Sequence, residues 1–413
     1  MPTPSPVTPA RPATTAARAK SPFDGLGIEE ALNFTPKYIL AQAKQDLFGT
    51  KDVQDAITAS YVWLADQVGH ITLGLIPTML LCWALDGAWR CCLLRVCQLG
   101  GVWRPIGMAV IAAAVFAYWV SKERTDYSDC FARRGNQFPF NAADIWWNIK
   151  SALFFFALGG IFALAAFNGV LWLLASIALL LWPALRMIFW WLRRKVAFQQ
   201  GAVPYLFRLA DFRTALTKEA IDACAGIANL KDREITLYAA LFGSDPLTLN
   251  APSPRHILVT GPLGAGKTSL AVGIATEFAF GLGIGRYLTA SKLVQSIADT
   301  KHVPEQMEND DGRWLWPLRR CDLLIVDDLD AGVSTPGGGA IHFVQPDDFC
   351  HAMGTDEAPL AWLGAKRSVW VIGDKSLAAA WITTIAHVMH VGVGDILQID
   401  LSPNPQQAAP VQA

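Results

Sequence analysis

Gly261-Pro-Leu-Gly-Ala-Gly266-Lys267-Thr268 is a glycine-punctuated run closed by Lys-Thr. The spacing G-x-x-x-x-G-K-[ST] suits a backbone that turns its N–H groups inward around a phosphate, with a new helix adding its positive end. Gly261, Pro262, Leu263, Gly264, Ala265 and Gly266 would form that cradle, and Lys267, Thr268 and Ser269 would open the helix. The ammonium of Lys267 would reach the β- and γ-phosphates, and the Thr268 hydroxyl would ligate Mg²⁺. Sixty positions after Lys267 the apolar run "LLIVDDLD" ends in Asp327 and Asp328. A buried strand leaving the sheet in two carboxylates supplies what a phosphate-bound Mg²⁺ needs, an acidic partner reached through water. Asp327 is the expected metal residue. Asp328 is placed to orient or deprotonate an attacking water.

The elements that must hold these groups are legible around them. "HILVT" (256–260) reads as the strand before the loop and "TSLAVGIATEFAF" as the helix after it. Apolar runs at His256–Thr260, Tyr287–Thr289, Leu323–Val326, Val369–Ile372 and Leu397–Leu401 alternate with helical patterns, which predicts a parallel sheet of about five strands. A guanine site is disfavoured. The stretch after the fourth strand is "GDKSL", with Leu377 where an N-K-x-D loop needs its final carboxylate, so ATP is the expected nucleotide.

With "RYLTASKLVQSI" (286–297) between them, the two motifs resemble those of AAA-type ATPases of the bacterial initiator, helicase-loader and IstB-like group. The likeness covers about 254–401. It implies a P-loop NTPase domain, Mg²⁺-dependent ATP hydrolysis and a polar γ-phosphate sensor after the fourth strand. In that place this chain has Asp374, which could orient water but would repel phosphate unless Mg²⁺ screened it. The resemblance also implies a trans-acting arginine, yet none lies between Lys375 and Ile396; Arg319, Arg320 and Arg367 are substitutes by proximity alone. About a dozen residues follow the last strand, so no C-terminal lid is expected. Slow hydrolysis or a nucleotide-controlled switch therefore fits better than ring-driven work.

The front half is of another kind. The chain has 413 residues, 53% hydrophobic and 17% charged, with 16 Trp and a net charge of −1. Its balance carries no basic field, so nucleic acid is not an expected partner. Eight cysteines lack CxxC pairs or zinc spacing and read as reduced, buried small hydrophobes. Residues 151–185 hold 35 positions without one charge. As a single helix they would measure about 52 Å, well beyond a ~30 Å hydrocarbon core, so two spans are expected with "FNG" (167–169) as the turn. Trp146 and Trp147 at one end, and Trp190 to Lys195 at the other, read as headgroup-level aromatics and a basic stop. Thinner apolar runs at 67–85 and 105–121 bring the count to four spans, with three as the alternative. The piece between them, carrying Arg90, Arg95 and Arg104, is expected at the interface.

The expected organisation is an α/β fold class following an all-α transmembrane region. A disordered Pro/Thr/Ala-rich tail (1–22) and an amphipathic helical segment (23–66) come first. The transmembrane region is 67–195 (spans 67–85, 105–121, 148–167 and 170–192), and a helical linker is 196–253. The NTPase domain is 254–401 and a flexible tail 402–413. Because phosphate donors are cytosolic, the NTPase domain is expected in the cytoplasm, with both termini inside. The functional expectation is a membrane-anchored, slow ATPase acting with a protein partner or a second copy. A non-hydrolysing switch in signalling or defence and an ATPase component of a transport assembly are the alternatives. "RWLWPLRR" (313–320) is expected to pack Trp314 and Trp316 on the sheet, with a membrane or subunit contact as the other reading.

Overall fold

The computed structural model describes residues 21–48, 59–90, 100–134, 142–209, 216–228, 254–300, 313–334, 341–354, 357–373 and 375–402. The two tails, the linker beyond 228, the loop 335–340 and Asp374 therefore lie wholly or mostly outside the described residues.

Two short helices, α1 (Ile28–Leu32) and α2 (Pro36–Phe48), precede four long ones: α3 (Ala59–Arg90), α4 (Gly100–Arg134), α5 (Ala142–Asn168) and α6 (Val170–Gln200). Each of the four contains a segment long and apolar enough to cross a membrane: Ala65–Ala88, Trp103–Thr125, Ile149–Phe167 and Val170–Gln200. The expected hairpin exists, turning at Gly169, whose φ of 104° is a conformation that favours glycine. α3 and α5 pack most closely. A Cβ on Gly74 would lie 2.1 Å from the Phe156 carbonyl oxygen, and one on Gly159 would lie 2.1 Å from that of Ile71. Apolar tails give helices no hydrophobic reason to associate in lipid, so close backbone approach at small residues must supply the contact. Arg104, expected in an interfacial piece between two spans, lies instead inside α4 and donates to Asp86 of α3 at 2.7 Å.

The second half is a three-layer α/β arrangement. Strands β1 (His256–Thr260), β2 (Gly285–Thr289), β3 (Leu323–Asp327), β6 (Arg367–Val371) and β7 (Ile396–Asp400) form a parallel sheet in the order β2-β3-β6-β1-β7. All five expected strands are present, shifted by at most two residues at either end. A small antiparallel pair, β4 (Gly332–Ser334) and β5 (Ile341–Phe343), was not foreseen. The helices of this half are α7 (Lys218–Ile227), α8 (Lys267–Phe280), α9 (Ala290–Thr300), α10 (Pro346–Met353), α11 (Glu357–Gly364) and α12 (Ala378–Met389). Alternation along the strands sends Ile257, Val259, Ile325 and Val369 to one core, and Leu258, Leu324, Val326 and Trp370 to the other. Helices α9 to α12 cover the second face.

The first face is covered by α7, α8, α1, α2 and the end of α6. Helix α6 has 31 residues, a rise of about 46 Å. Its first 21 residues rise about 31 Å, the thickness of a hydrocarbon core, and carry exposed Leu171, Trp172, Leu179 and Trp182. The remaining turns enter the α/β half, where Trp191, Leu192, Arg194, Lys195, Val196, Ala197, Phe198 and Gln200 are buried. Arg194 and Lys195 thus do not reach headgroups. Lys195 pairs with Asp46 of α2 at 2.6 Å, and Arg194 lies 4.0 Å above the Trp190 ring. Trp316 is fully buried and donates to Ala197 at 3.2 Å, while Trp314 donates to Leu26 at 2.7 Å. Both tryptophans therefore bond to the segments that cover the first face of the sheet, the end of α6 and the stretch before α1, with Trp316 buried and Trp314 partly buried.

Candidate functional site

The glycine-rich loop leaves the fully buried strand β1 at the carboxyl end of the sheet. Gly261 (φ 146°) passes so close to Leu401 that a Cβ would sit 3.2 Å from its side chain, which favours glycine both by torsion and by space. A turn closes from the Ala265 amide to the Pro262 oxygen at 3.2 Å, and Gly266, at φ 88° and ψ 21°, caps α8. Helix α8 then begins at Lys267, so the amides of its first turn have no acceptor within the helix. The Lys267 ammonium folds back over the loop and donates to the oxygens of Gly261 and Pro262, each at 2.9 Å.

The acidic pair stands across from it. Strand β6 separates β1 from β3, so the loop and Asp327 are two strand spacings apart, about 10 Å. That gap is enough for a phosphate and a hydrated cation between them. Asp327 ends the wholly buried β3 and is itself 2% exposed. One of its oxygens accepts the Asp328 amide at 2.9 Å and the other the Tyr287 hydroxyl at 2.5 Å. Asp328 takes a left-handed φ of 54°, which turns the chain sharply off the strand. Leu329 then bonds Val371, and Asp330 accepts the Gly373 amide at 2.7 Å, pinning the exits of β3 and β6 together.

A cavity of about 840 Å³ opens between these groups, inside the range of small-molecule sites. Gly264, Gly266, Lys267, Thr268, Ser269 and Leu263 line one wall, with Leu263 fully exposed at its rim. Asp327, Asp328 and Asp330 line the other, and Val371 to Gly373 form the floor. Gly261, Pro262 and Ala265 stand behind the wall and shape it. Asp374 lies outside the described residues.

Burial, then the neighbouring Asp327 and Asp330, push the Asp328 carboxyl above the usual range, with Lys267 pulling the other way. Burial, followed by donation to Asp327 and the two adjacent carboxylates, drives the Tyr287 phenol upward, so the hydroxyl keeps its proton. The donor set suits Mg²⁺: a threonine hydroxyl and a carboxylate are hard oxygen ligands, few enough to leave places for waters and phosphate oxygens. Among the described residues no group of three or more His, Cys, Asp or Glu could hold a metal unaided.

The three arginines expected to substitute by proximity are not at this site. Arg319 and Arg320 precede β3 and Arg367 begins β6, so all three sit at the amino-terminal edge of the sheet, a strand's length from the cavity. Arg320 pairs there with Glu29 at 2.7 Å, and Arg319 lies over the Trp362 ring. Tyr287, Asp330 and Gln345, by contrast, belong to the site or border it, and sequence reading missed them. A phenol inside an edge strand was the available signal for the first. No protein-family model matches this chain, and neither does any curated protein.

Proposed function

We propose that this protein binds ATP with Mg²⁺ at the carboxyl end of its sheet, hydrolyses it slowly, and thereby controls the state of a membrane-embedded helical bundle. The observation that carries the reading is the convergence of the Gly261–Thr268 loop and the Asp327–Asp328 pair on one cavity, two strands apart. Loop amides and the start of α8 are oriented to receive phosphate oxygens. Lys267 would exchange its two carbonyl acceptors for phosphate charge without leaving the loop. Thr268 and Asp327 would hold Mg²⁺, which when bound neutralises charge on the phosphates. Asp328, its basicity raised by burial and then by its acidic neighbours, is suited to take a proton from water.

The AAA-type likeness of the motifs supports the same chemistry, and ATP supply would put the site on the cytoplasmic side. A switch with negligible turnover is the second reading. It is favoured because no arginine lines the cavity among the described residues, and a supplied arginine is worth roughly 10³–10⁵ in rate. Equilibrium binding of a fluorescent ATP analogue and phosphate release, both on purified full-length protein, test the proposal. Lys267→Ala should abolish binding, and Asp328→Asn should keep binding while losing turnover. Unchanged affinity in K267A would overturn the ATP assignment; undetectable turnover beside tight binding would select the switch.

A further inference from the structure

The α6 helix and the metal-binding carboxylate are joined through one residue. Tyr287 lies in β2, the edge strand, and pairs with Ile325 of β3, while Thr289 pairs with Asp327. Tyr287 is therefore the diagonal neighbour of Asp327 on the same face, a separation that a long side chain spans. Its hydroxyl does so, donating to Asp327 at 2.5 Å. An ionised carboxylate offers about four lone-pair positions. The Asp328 amide and the Tyr287 hydroxyl each take one, on different oxygens, so the carboxylate plane is fixed and the remaining positions are left for the cavity.

The other edge of β2 is not open. The Tyr287 amide donates to the Gly201 oxygen at 2.8 Å, and Gly201 directly follows α6, its own amide bonded back to Ala197 at 3.2 Å. The approach is tight: a Cβ on Gly201 would stand 2.9 Å from the Gly285 oxygen. Beside this contact Trp316 donates its amide to Gln200 at 3.0 Å, and its carbonyl accepts from Arg286 at 2.9 Å. From Gln200 back to Val170 the chain is one continuous helix, with Pro183 removing a single backbone bond from its ladder. A displacement of its end carries the Tyr287 backbone with it, and the Tyr287 hydroxyl passes that displacement to Asp327.

We infer that Tyr287 is a positioning residue for Asp327 and that the end of α6 sets where it stands, so that the membrane-side helix regulates how tightly the site holds Mg²⁺. This rests on the ATP–Mg²⁺ reading above. The test uses full-length protein in phospholipid nanodiscs and the fluorescent ATP analogue, bound in EDTA and across a Mg²⁺ titration. Y287F should raise the Mg²⁺ concentration at half-effect about 10–100-fold, the usual consequence of removing a hydrogen bond that orients a metal ligand. Metal-free affinity for the analogue should not change, which a general loss of structure would not allow. G201A should shift the Mg²⁺ requirement in the same direction, and adding it to Y287F should shift it no further. An unaltered Mg²⁺ titration in Y287F overturns the positioning role. Additive shifts of the two substitutions overturn the link to α6. Failure of the unsubstituted protein to bind the analogue, with or without Mg²⁺, overturns the ATP reading itself.

Discussion

Lys195 and Asp46 stand 149 residues apart in sequence and meet at 2.6 Å between Nζ and Oδ1, the lysine side chain only 2% exposed. A charge so placed is tolerable only while its partner remains. Asp46→Ala should therefore destabilise the protein by about 3–5 kcal/mol, the range for removing one half of a buried pair. Replacing both, as D46L with K195M, should restore most of the loss. Melting of the full-length single and double variants in detergent decides this, and equal melting temperatures for the two would exclude it.

At the α3–α5 crossing, Gly159→Ala should lower stability by about 1–3 kcal/mol, the range for overpacking a tight contact, because the added methyl meets the Ile71 carbonyl. Gly87→Ala is the control, since nothing lies within 4 Å of its Cβ position. Comparable melting of the two variants would show that the crossing yields freely.

Asp328 should leave a pH signature. Its folded-state pKa is raised, chiefly by burial and then by Asp327 and Asp330, so its ionisation opposes folding. That penalty is present above the folded pKa and disappears as pH falls below the unfolded carboxylate range. Asp328→Asn, which imitates the protonated form, should thus raise the melting temperature at neutral pH in metal-free buffer. The gain should shrink as the solution is acidified. A gain that is constant with pH would mean another cause.

Arg319→Ala and Arg367→Ala should leave turnover per molecule unchanged in dilute protein, because both residues sit at the sheet edge away from the cavity. A loss that grows with protein concentration would instead show an arginine delivered from a second copy. Phosphate release across a dilution series separates the two.

Much of the α/β half was legible because its determinants are local. Five apolar runs give five strands, and the glycine pattern with Lys-Thr marks a strand, a turn and a helix start within fourteen positions or so. The 35 uncharged residues likewise had to turn, since one helix would outrun any hydrocarbon core. Tyr287 was not legible, because its reach to Asp327 depends on the register of β2 against β3. Asp330 was missed for a similar reason, its partner being an amide 43 residues away. Arg194 and Lys195 were misread because basic residues after an apolar run look the same whether they meet headgroups or a distant carboxylate. Strands β4 and β5 are three residues each, too short to show alternation.

The last turns of α6 form one wall of the α/β core, and this makes the two halves inseparable as folding units. A fragment beginning after Gly201 would present the rings of Phe280 and Trp316, which Trp191, Phe198 and Ala197 cover in the intact chain, to solvent. Contiguous apolar surface of that kind drives aggregation. The α/β half should accordingly be expressed with residues 186–201 attached, and its solubility without them is the plainest measure of how far the long apolar helix has become part of that fold.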